Sequence, residues 1–329
     1  MKAFLLLLIC SSAFAISEES YERIWNSEVL VHFQDLQQGE FTNAQGLKIR
    51  YRYQVHTKAL RTLVILPGRT EAMIKYAELM FDLHSPNVNI FIMDHQGQGE
   101  SERLVTLDGS HVRRFSDYVN DFRQFMRQVV IPTSGDTERM LLAHSMGGAI
   151  AVHYLHAAPT AFSKAVLAAP MLKIVTAPYS ELVALWYARI LSLAGKGDEY
   201  APGQGPYLPD TDTFESNLST QSKVRFDYGK RFWLENSQLI VGGPTASWVK
   251  ENIKGSKKSI KLAAQIKTPM LIFQAGQDQI VVNSRQNTFC TRAPQCQITL
   301  LTNARHGLLN EKDEIRNKVI ERIQSFLEL

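Results

Sequence analysis

Short apolar runs ending in turn residues alternate with helix-period segments along most of this 329-residue chain, and that alternation restricts the fold more than any other feature. Residues 62–66 form a compact apolar run that stops at Pro67-Gly68. A segment with apolar residues at helical spacing follows over 74–83 (Ile74, Ala77, Leu79, Met80, Leu83). Residues 88–93 run into Asp94-His95-Gln96-Gly97-Gln98-Gly99, and Ser116 reads as the N-cap of a helix carrying Tyr118, Val119, Phe122, Phe125, Met126 and Val129. A strand over 140–143 precedes an alanine-rich helix over 146–156, and 165–168 is strand-like again. The rhythm resumes with strands over 269–273 and 298–301 and ends in a helix over 311–327. Residues 48–55 alternate apolar and polar, as an exposed early strand does. Repeated βα units predict an α/β protein: a mostly parallel central sheet with helices on both faces.

Between Pro170 and about Thr268 the rhythm breaks. An apolar helix over 181–193 gives way to residues 195–209, which hold four glycines and three prolines, a loop-forming composition. The expected organisation is a leader at 1–15, a first core part at 16–170, an inserted helical cap at 171–267, and a second core part at 268–329.

Lys2, the apolar run at 3–10 and the small residues of Ala13-Phe14-Ala15 make the leader a secretory signal peptide, too short for a comfortable membrane span. The expected location is therefore periplasmic or secreted, with peripheral membrane contact allowed. In such a compartment the remaining cysteines, Cys290 and Cys296, form a candidate local disulfide, the alternative being two buried thiols. The net charge of +4 rests on 36 basic against 32 acidic residues. The longest basic cluster, 254–261, is broken by Gly255 and serines, so it reads as a solvated surface and not as a nucleic-acid footprint. Nothing in the sequence calls for an obligate protein partner.

The chemistry concentrates at Ala143-His144-Ser145-Met146-Gly147, between a strand and a helix. A nucleophile elbow reads Gly-x-Ser-x-Gly, and its flanking positions must be small because the turn is tight. Ala143 adds one methyl to that pattern. A nucleophilic serine needs a base, a carboxylate that orients the base, and backbone donors for the oxyanion. In elbow-bearing folds the chain order is serine, acid, histidine. Of nine histidines, His306 alone lies beyond residue 156, just after the last strand-like run. Asp278 ends the segment 271–278, at the kind of strand-end loop where catalytic groups collect. Asp313 is the other nearby acid, on the final helix, where it is expected to face solvent. The amide of Arg69, after Pro67-Gly68, and that of Met146 are candidate oxyanion donors.

Other motifs carry less. His144 is expected to pack or line a pocket and not to act as base. His153 and His156 share a helix face but lack a metal-site motif. Gly97-x-Gly99 reads as a tight turn, since the full dinucleotide fingerprint is missing. Arg69, Arg113 and Arg114 are candidates to attract a phosphate head group, with ordinary surface charge the stronger expectation.

The chain resembles the bacterial lysophospholipase and monoacylglycerol-lipase branch of the α/β-hydrolases. The resemblance is carried by Leu66-Pro67-Gly68-Arg69-Thr70-Glu71, Lys75-Tyr76-Ala77-Glu78-Leu79, Asp94-His95-Gln96-Gly97-Gln98-Gly99-Glu100-Ser101, Ala143-His144-Ser145-Met146-Gly147-Gly148, and Val241-Gly242-Gly243-Pro244-Thr245 with Trp248. It is nearest to the Gram-negative lysophospholipase type, for which Ala143 and Pro67 are expected variations; monoacylglycerol lipases usually have histidine at the Pro67 position. The resemblance implies hydrolysis of the single acyl ester of a lysophospholipid or other monoacyl lipid through an acyl-enzyme, acyl transfer as a side activity, and no cofactor. The alternatives are a monoacylglycerol lipase or general carboxylesterase, and a catalytically silent lipid-binding protein of the same fold.

Overall fold

The computed structural model describes residues 15–329, so the expected leader lies outside the described residues except for Ala15. Ten strands are present among them. Eight form one sheet: β1 (Gln37–Thr42), β2 (Lys48–Gln54), β3 (Arg61–Leu66), β4 (Val88–Met93), β6 (Glu138–His144), β7 (Lys164–Ala168), β9 (Met270–Ala275) and β10 (Cys296–Leu301). Their spatial order is β1-β2-β4-β3-β6-β7-β9-β10. β1–β2 and β2–β4 pair antiparallel, and every later pair is parallel. A separate two-stranded ladder joins β5 (Gly109–Ser110) to β8 (Gly242–Pro244).

The central strands β3, β4, β6 and β9 are buried almost end to end, as apolar runs covered on both faces must be. Alternation along β3 sends Val64 and Leu66 to one apolar cluster and Leu63 and Ile65 to the other. The first cluster holds residues of α4 (Phe115–Phe125), α6 (Met146–Ala157), α9 (Ala246–Leu262) and α10 (Asn283–Arg292). The second holds residues of α1 (Tyr21–Ile24), α2 (Leu30–Asp35), α3 (Ala77–Asp82) and α11 (Asp313–Leu327). A short α5 (Ile131–Ser134) leads into β6.

The segment 171–267 enters between β7 and β9, which are neighbours in the sheet. Its helices α7 (Glu181–Leu193), α8 (Lys223–Glu235) and α9 start at Ser180, Ser222 and Thr245, whose hydroxyls each accept the amide three residues on. The segment is not uniform. α9 packs on α4 and α6 and buries Trp248 and Ile253 in the first cluster, whereas α7 leaves Leu182, Trp186 and Leu193 exposed. The lysines of 254–261 project from the outer side of α9, and Gly255 and Ser259 face inward.

One local expectation changes. α4 begins at Phe115, because the Asp117 carboxylate accepts the Arg114 amide at 3.1 Å; Ser116 is inside its first turn. Residues 21–42 hold α1, α2 and the edge strand β1. Cys290 and Cys296 are joined by a disulfide that closes the α10–β10 turn.

Candidate active site

Ser145 stands between the end of β6 and the start of α6 with φ of 49° and ψ of −114°. A left-handed φ at a serine is strained and persists only where neighbours over-determine it. Here its amide donates to the Ala168 carbonyl at 3.0 Å, and its carbonyl accepts the Gly148 and Met171 amides at 2.9 and 2.8 Å. Gly147 is required: a Cβ there would collide with the carbonyl oxygens of Leu66 and Pro67. Ala143, by contrast, sits fully buried between Leu66 of β3 and Leu167 of β7, where one methyl is accommodated.

The structure brings Ser145, His306 and Asp278 together. His306 Nε2 lies 2.9 Å from Ser145 Oγ, and His306 Nδ1 lies 2.7 Å from Asp278 Oδ2. Asp278 Oδ1 accepts the amides of Ile280 at 2.8 Å and Val281 at 3.0 Å, which fixes the carboxylate. Burial raises the Asp278 pKa, but the His306 contact and these amides outweigh it and hold the carboxyl below its ordinary range. Burial lowers the His306 pKa, assisted by nearby His144 and opposed by Asp278. The resting imidazole is therefore neutral near pH 7, with Nδ1–H donating to Asp278 and Nε2 open to the serine hydroxyl. Asp313 is elsewhere: at the start of α11 it accepts the Glu18 amide at 2.7 Å and Arg225 Nη1 at 2.9 Å, so it is partnered and not simply solvated.

Sequence reasoning gave no role to Glu71, yet it organises the loop beside the serine. Glu71 Oε2 accepts the Gly68 amide and the Tyr76 hydroxyl, each at 2.5 Å, and lies 3.0 Å from His144 Nδ1; Oε1 accepts Lys75 Nζ at 2.7 Å. Burial opposes its charge, but His144 and Lys75 outweigh burial and hold the carboxyl well below its usual range. His144 Nε2 in turn faces the His306 carbonyl at 3.1 Å, so His144 links this loop to the backbone of His306. The same loop is held by Gln98 Nε2, which donates to the Gly68 and Glu71 carbonyls at 2.7 Å, and by His95 Nε2, which donates to the Pro67 carbonyl at 3.0 Å. The Gly97-x-Gly99 turn makes this possible: both glycines have left-handed φ, and a Cβ on Gly99 would strike the Asp94 carboxylate.

With the Gly68 amide committed to Glu71, the next amide along the loop is that of Arg69. Met146 supplies a first-turn amide of α6, a position with no intrahelical acceptor. The Arg69 side chain is not a surface charge. Its Nη1 donates to Ser110 Oγ at 3.0 Å and the Gly242 carbonyl at 3.2 Å, and its guanidinium lies 5.4 Å from the Trp248 ring centroid. Burial draws its pKa down to about 10, which leaves it cationic at neutral pH. Arg113 and Arg114 are exposed. His153 and His156 contact the Gly255 carbonyl at 3.0 Å and Gln265 Oε1 at 2.8 Å, and so serve to attach α6 to its neighbours.

Ser145 and His306 open into a cavity of about 610 Å³. Arg69, Lys75, Met171, Ile174, Tyr179, Tyr187 and Trp248 contribute to its wall. A second cavity of about 450 Å³, lined by Trp25, Phe226, Tyr228 and Trp233, shares Thr70, Lys75, Ser219 and Ile280 with the first.

Residues 57–313 match the Hydrolase_4 family model, described as serine aminopeptidase, S33. The chain belongs to this family of α/β-hydrolases. It is similar to the probable lysophospholipase L2 of Haemophilus influenzae, 31% identical over 95% of this chain and 98% of that one. It is also similar to lysophospholipase L2 of Escherichia coli K12, at 34% identity over 88% of this chain and 86% of that one. Mouse monoglyceride lipase is 24% identical over 90% of this chain and 91% of its own. Among solved structures, a soluble variant of the Saccharomyces cerevisiae monoglyceride lipase, in complex with a substrate analogue, shares the fold with a TM-score of 0.70 at 17% identity, covering 89% and 94% of the two chains. The protein is a carboxylic ester hydrolase.

Proposed function

We propose that the enzyme hydrolyses the single acyl ester of lysophospholipids through an acyl-enzyme on Ser145. The observation that carries this reading is the hydrogen-bond chain Ser145–His306–Asp278 at a cavity of mixed apolar and polar wall, large enough for a monoacyl lipid. Ser145 Oγ attacks the ester carbonyl as His306 Nε2 takes its proton, and Asp278 stabilises the resulting imidazolium. The Arg69 and Met146 amides receive the oxyanion. The tetrahedral adduct collapses, His306 returns the proton to the leaving glycerol oxygen, and water then releases the fatty acid by the same steps. An alcohol in place of water gives acyl transfer. Arg69, whose Nη1 is held by neutral oxygens, keeps its positive charge at the cavity wall and favours a phosphate-bearing substrate over a neutral monoacylglycerol, whereas the Lys75 charge is already met by Glu71. An aminopeptidase needs a carboxylate free to meet the substrate ammonium, and Glu71, which lines the cavity, is already fully engaged.

The segment over the cavity acts in this reading as a cap that touches lipid. Leu182, Trp186 and Leu193 of α7 are 74%, 61% and 89% exposed, beside Ala184, Tyr187 and Ala188 of the cavity wall. Such a face suits peripheral contact with a lipid surface; no helix among the described residues is long and apolar enough to cross a membrane. The leader sequence supports an exported enzyme, cleaved after Ala15. The test is fatty-acid release by purified enzyme and Ser145→Ala on lysophospholipids, monoacylglycerols and short p-nitrophenyl esters. Preference for monoacylglycerol overturns the substrate assignment; equal turnover by Ser145→Ala overturns the mechanism.

A further inference from the structure

A buried ionic cluster between the amino-terminal segment and the sheet plays no part in ester chemistry. Glu78 and Asp82 project from α3 one turn apart, Arg225 comes from α8, and Arg316 from α11. Arg225 Nε lies 3.1 Å from both Glu78 oxygens, and its Nη2 lies 2.8 Å from Oε1. Arg316 Nη1 lies 3.1 Å from Glu78 Oε1 and 2.6 Å from Asp82 Oδ2. Arg225 Nη1 also reaches Asp313 Oδ1 at 2.9 Å.

Ile16 enters this cluster with both arms of its backbone. Its nitrogen donates to Asp82 Oδ1 at 3.2 Å, and its carbonyl accepts Arg225 Nη2 at 2.8 Å. Two guanidinium groups thus serve three carboxylates, and a fourth, Glu18, stands at the rim against Ser222 and Asp313. Burial pushes the Asp82 carboxyl above its ordinary range in spite of Arg316. Removing carboxylates from water is expensive unless cations meet them; Glu78 and Asp82 are buried against Arg225 and Arg316, and Asp313, 27% exposed, leaves one negative charge in excess at the cluster's solvent side.

We propose that cleavage of the Ala15–Ile16 bond turns the Ile16 nitrogen into an α-ammonium that pairs with Asp82 and completes the ionic cluster. This inference rests on the export reading above. Water adds across the amide under a leader peptidase: Ala15 departs with the new carboxylate, and the Ile16 nitrogen keeps its hydrogen and takes up two protons, one from water and one from solution. The ammonium brings a positive charge and two more N–H donors than the amide has. Because Ile16 is buried and Ala15 packs against the same core, the peptide bond must be cut before this segment docks. Docking then ties α8 to α3 and α11, so the processed terminus becomes a structural cation joining inserted segment to core.

The α-ammonium faces Asp82 and Glu78 of α3, Arg225 of α8, Arg316 and Asp313 of α11, and Glu18 and Tyr21 of its own segment. For this pair to stabilise the fold, Asp82 and Glu78 must outweigh burial and the two guanidinium groups and hold the folded amine above the unfolded value of about 7.7–8.0. Its stabilisation is complete below that value and disappears as pH rises through the folded pKa.

The test has two readouts. Intact mass of the exported enzyme should give a chain starting at Ile16; a different start overturns the cleavage site and the proposal with it. Separately, Tm is measured for chains starting at Ile16 and at Ala15, each with Asp82 or Asp82→Asn. At pH 7 the added alanine should lower Tm by on the order of 2 °C, the loss should vanish at high pH, and it should be much smaller with Asp82→Asn. Equal Tm for the two starts at pH 7 overturns the ion pair even when export and cleavage hold. A loss that persists unchanged at high pH or in Asp82→Asn overturns it equally, since crowding by the extra residue would then be the cause.

Discussion

Replacing Glu71 by glutamine tests whether the loop beside Ser145 is held by one carboxylate. Glu71 accepts from Gly68, Lys75 and Tyr76 and faces His144. An amide oxygen accepts two good hydrogen bonds, and the amide nitrogen turns a donor toward the remaining donors. Lys75 is 28% exposed and can turn to water, so most of the loss falls on Gly68, Tyr76 and His144. Losing about two hydrogen bonds to a charged acceptor, at about 1.5–3 kcal/mol each, costs about 3–6 kcal/mol of stability. The freed Gly68 amide also lets the Arg69 amide drift from the oxyanion position. Loss of one oxyanion donor lowers kcat by about 10²–10³, so E71Q should lose kcat on that scale with KM nearly unchanged. Steady-state kinetics on a p-nitrophenyl ester and a thermal melt measure both effects. Turnover within about threefold of wild type, with an unchanged Tm, would refute this account of the loop.

Further outcomes follow from the same geometry. Ser145→Ala should cost about 10⁴-fold or more in kcat while the melt moves little, as activity and circular dichroism together will show. kcat/KM should fall on the acid side as His306 protonates, with its apparent pKa below the ordinary 6.5 because burial disfavours the cation; a limb well above 6.5 would contradict the assignment. Glu71 and Asp278 have lowered carboxyl pKa values, so each contributes stability that is present above the ordinary carboxylate pKa and is lost as pH falls through the lower folded value. Acid unfolding of E71Q should therefore be shallower than that of wild type. Reducing the Cys290–Cys296 disulfide, which spans six positions, should cost about 2 kcal/mol and leave turnover intact.

What the sequence revealed and what it hid divides by range. Ser145 was legible because its demands are local: a strand before it, small residues beside it and a helix after it. His306 and Asp278 followed from chain order on a recognisable βα pattern. Glu71 was hidden because its role comes from His144, 73 positions away, acting with Gly68, Lys75 and Tyr76. Glu78 and Asp82 were harder still. On α3 they alternate with Leu79 and Met80 as solvent-facing acids would, and only Arg225 and Arg316, far along the chain, permit their burial. Arg69 read as a surface cation because nothing nearby shows that Ser110, Gly242 and Trp248 close around it. The edge strand β1, polar and interrupted by Gly39, has no apolar periodicity to announce it.

The central claim is that Ser145 is the nucleophile of a lipid esterase, and covalent trapping tests it most directly. Wild-type enzyme treated with a long-chain alkyl fluorophosphonate should gain one phosphonyl group, mapped by peptide mass spectrometry to Ser145, with loss of fatty-acid release in step. Ser145→Ala should gain none. An adduct on another residue, or full inhibition without any adduct at Ser145, would contradict the account.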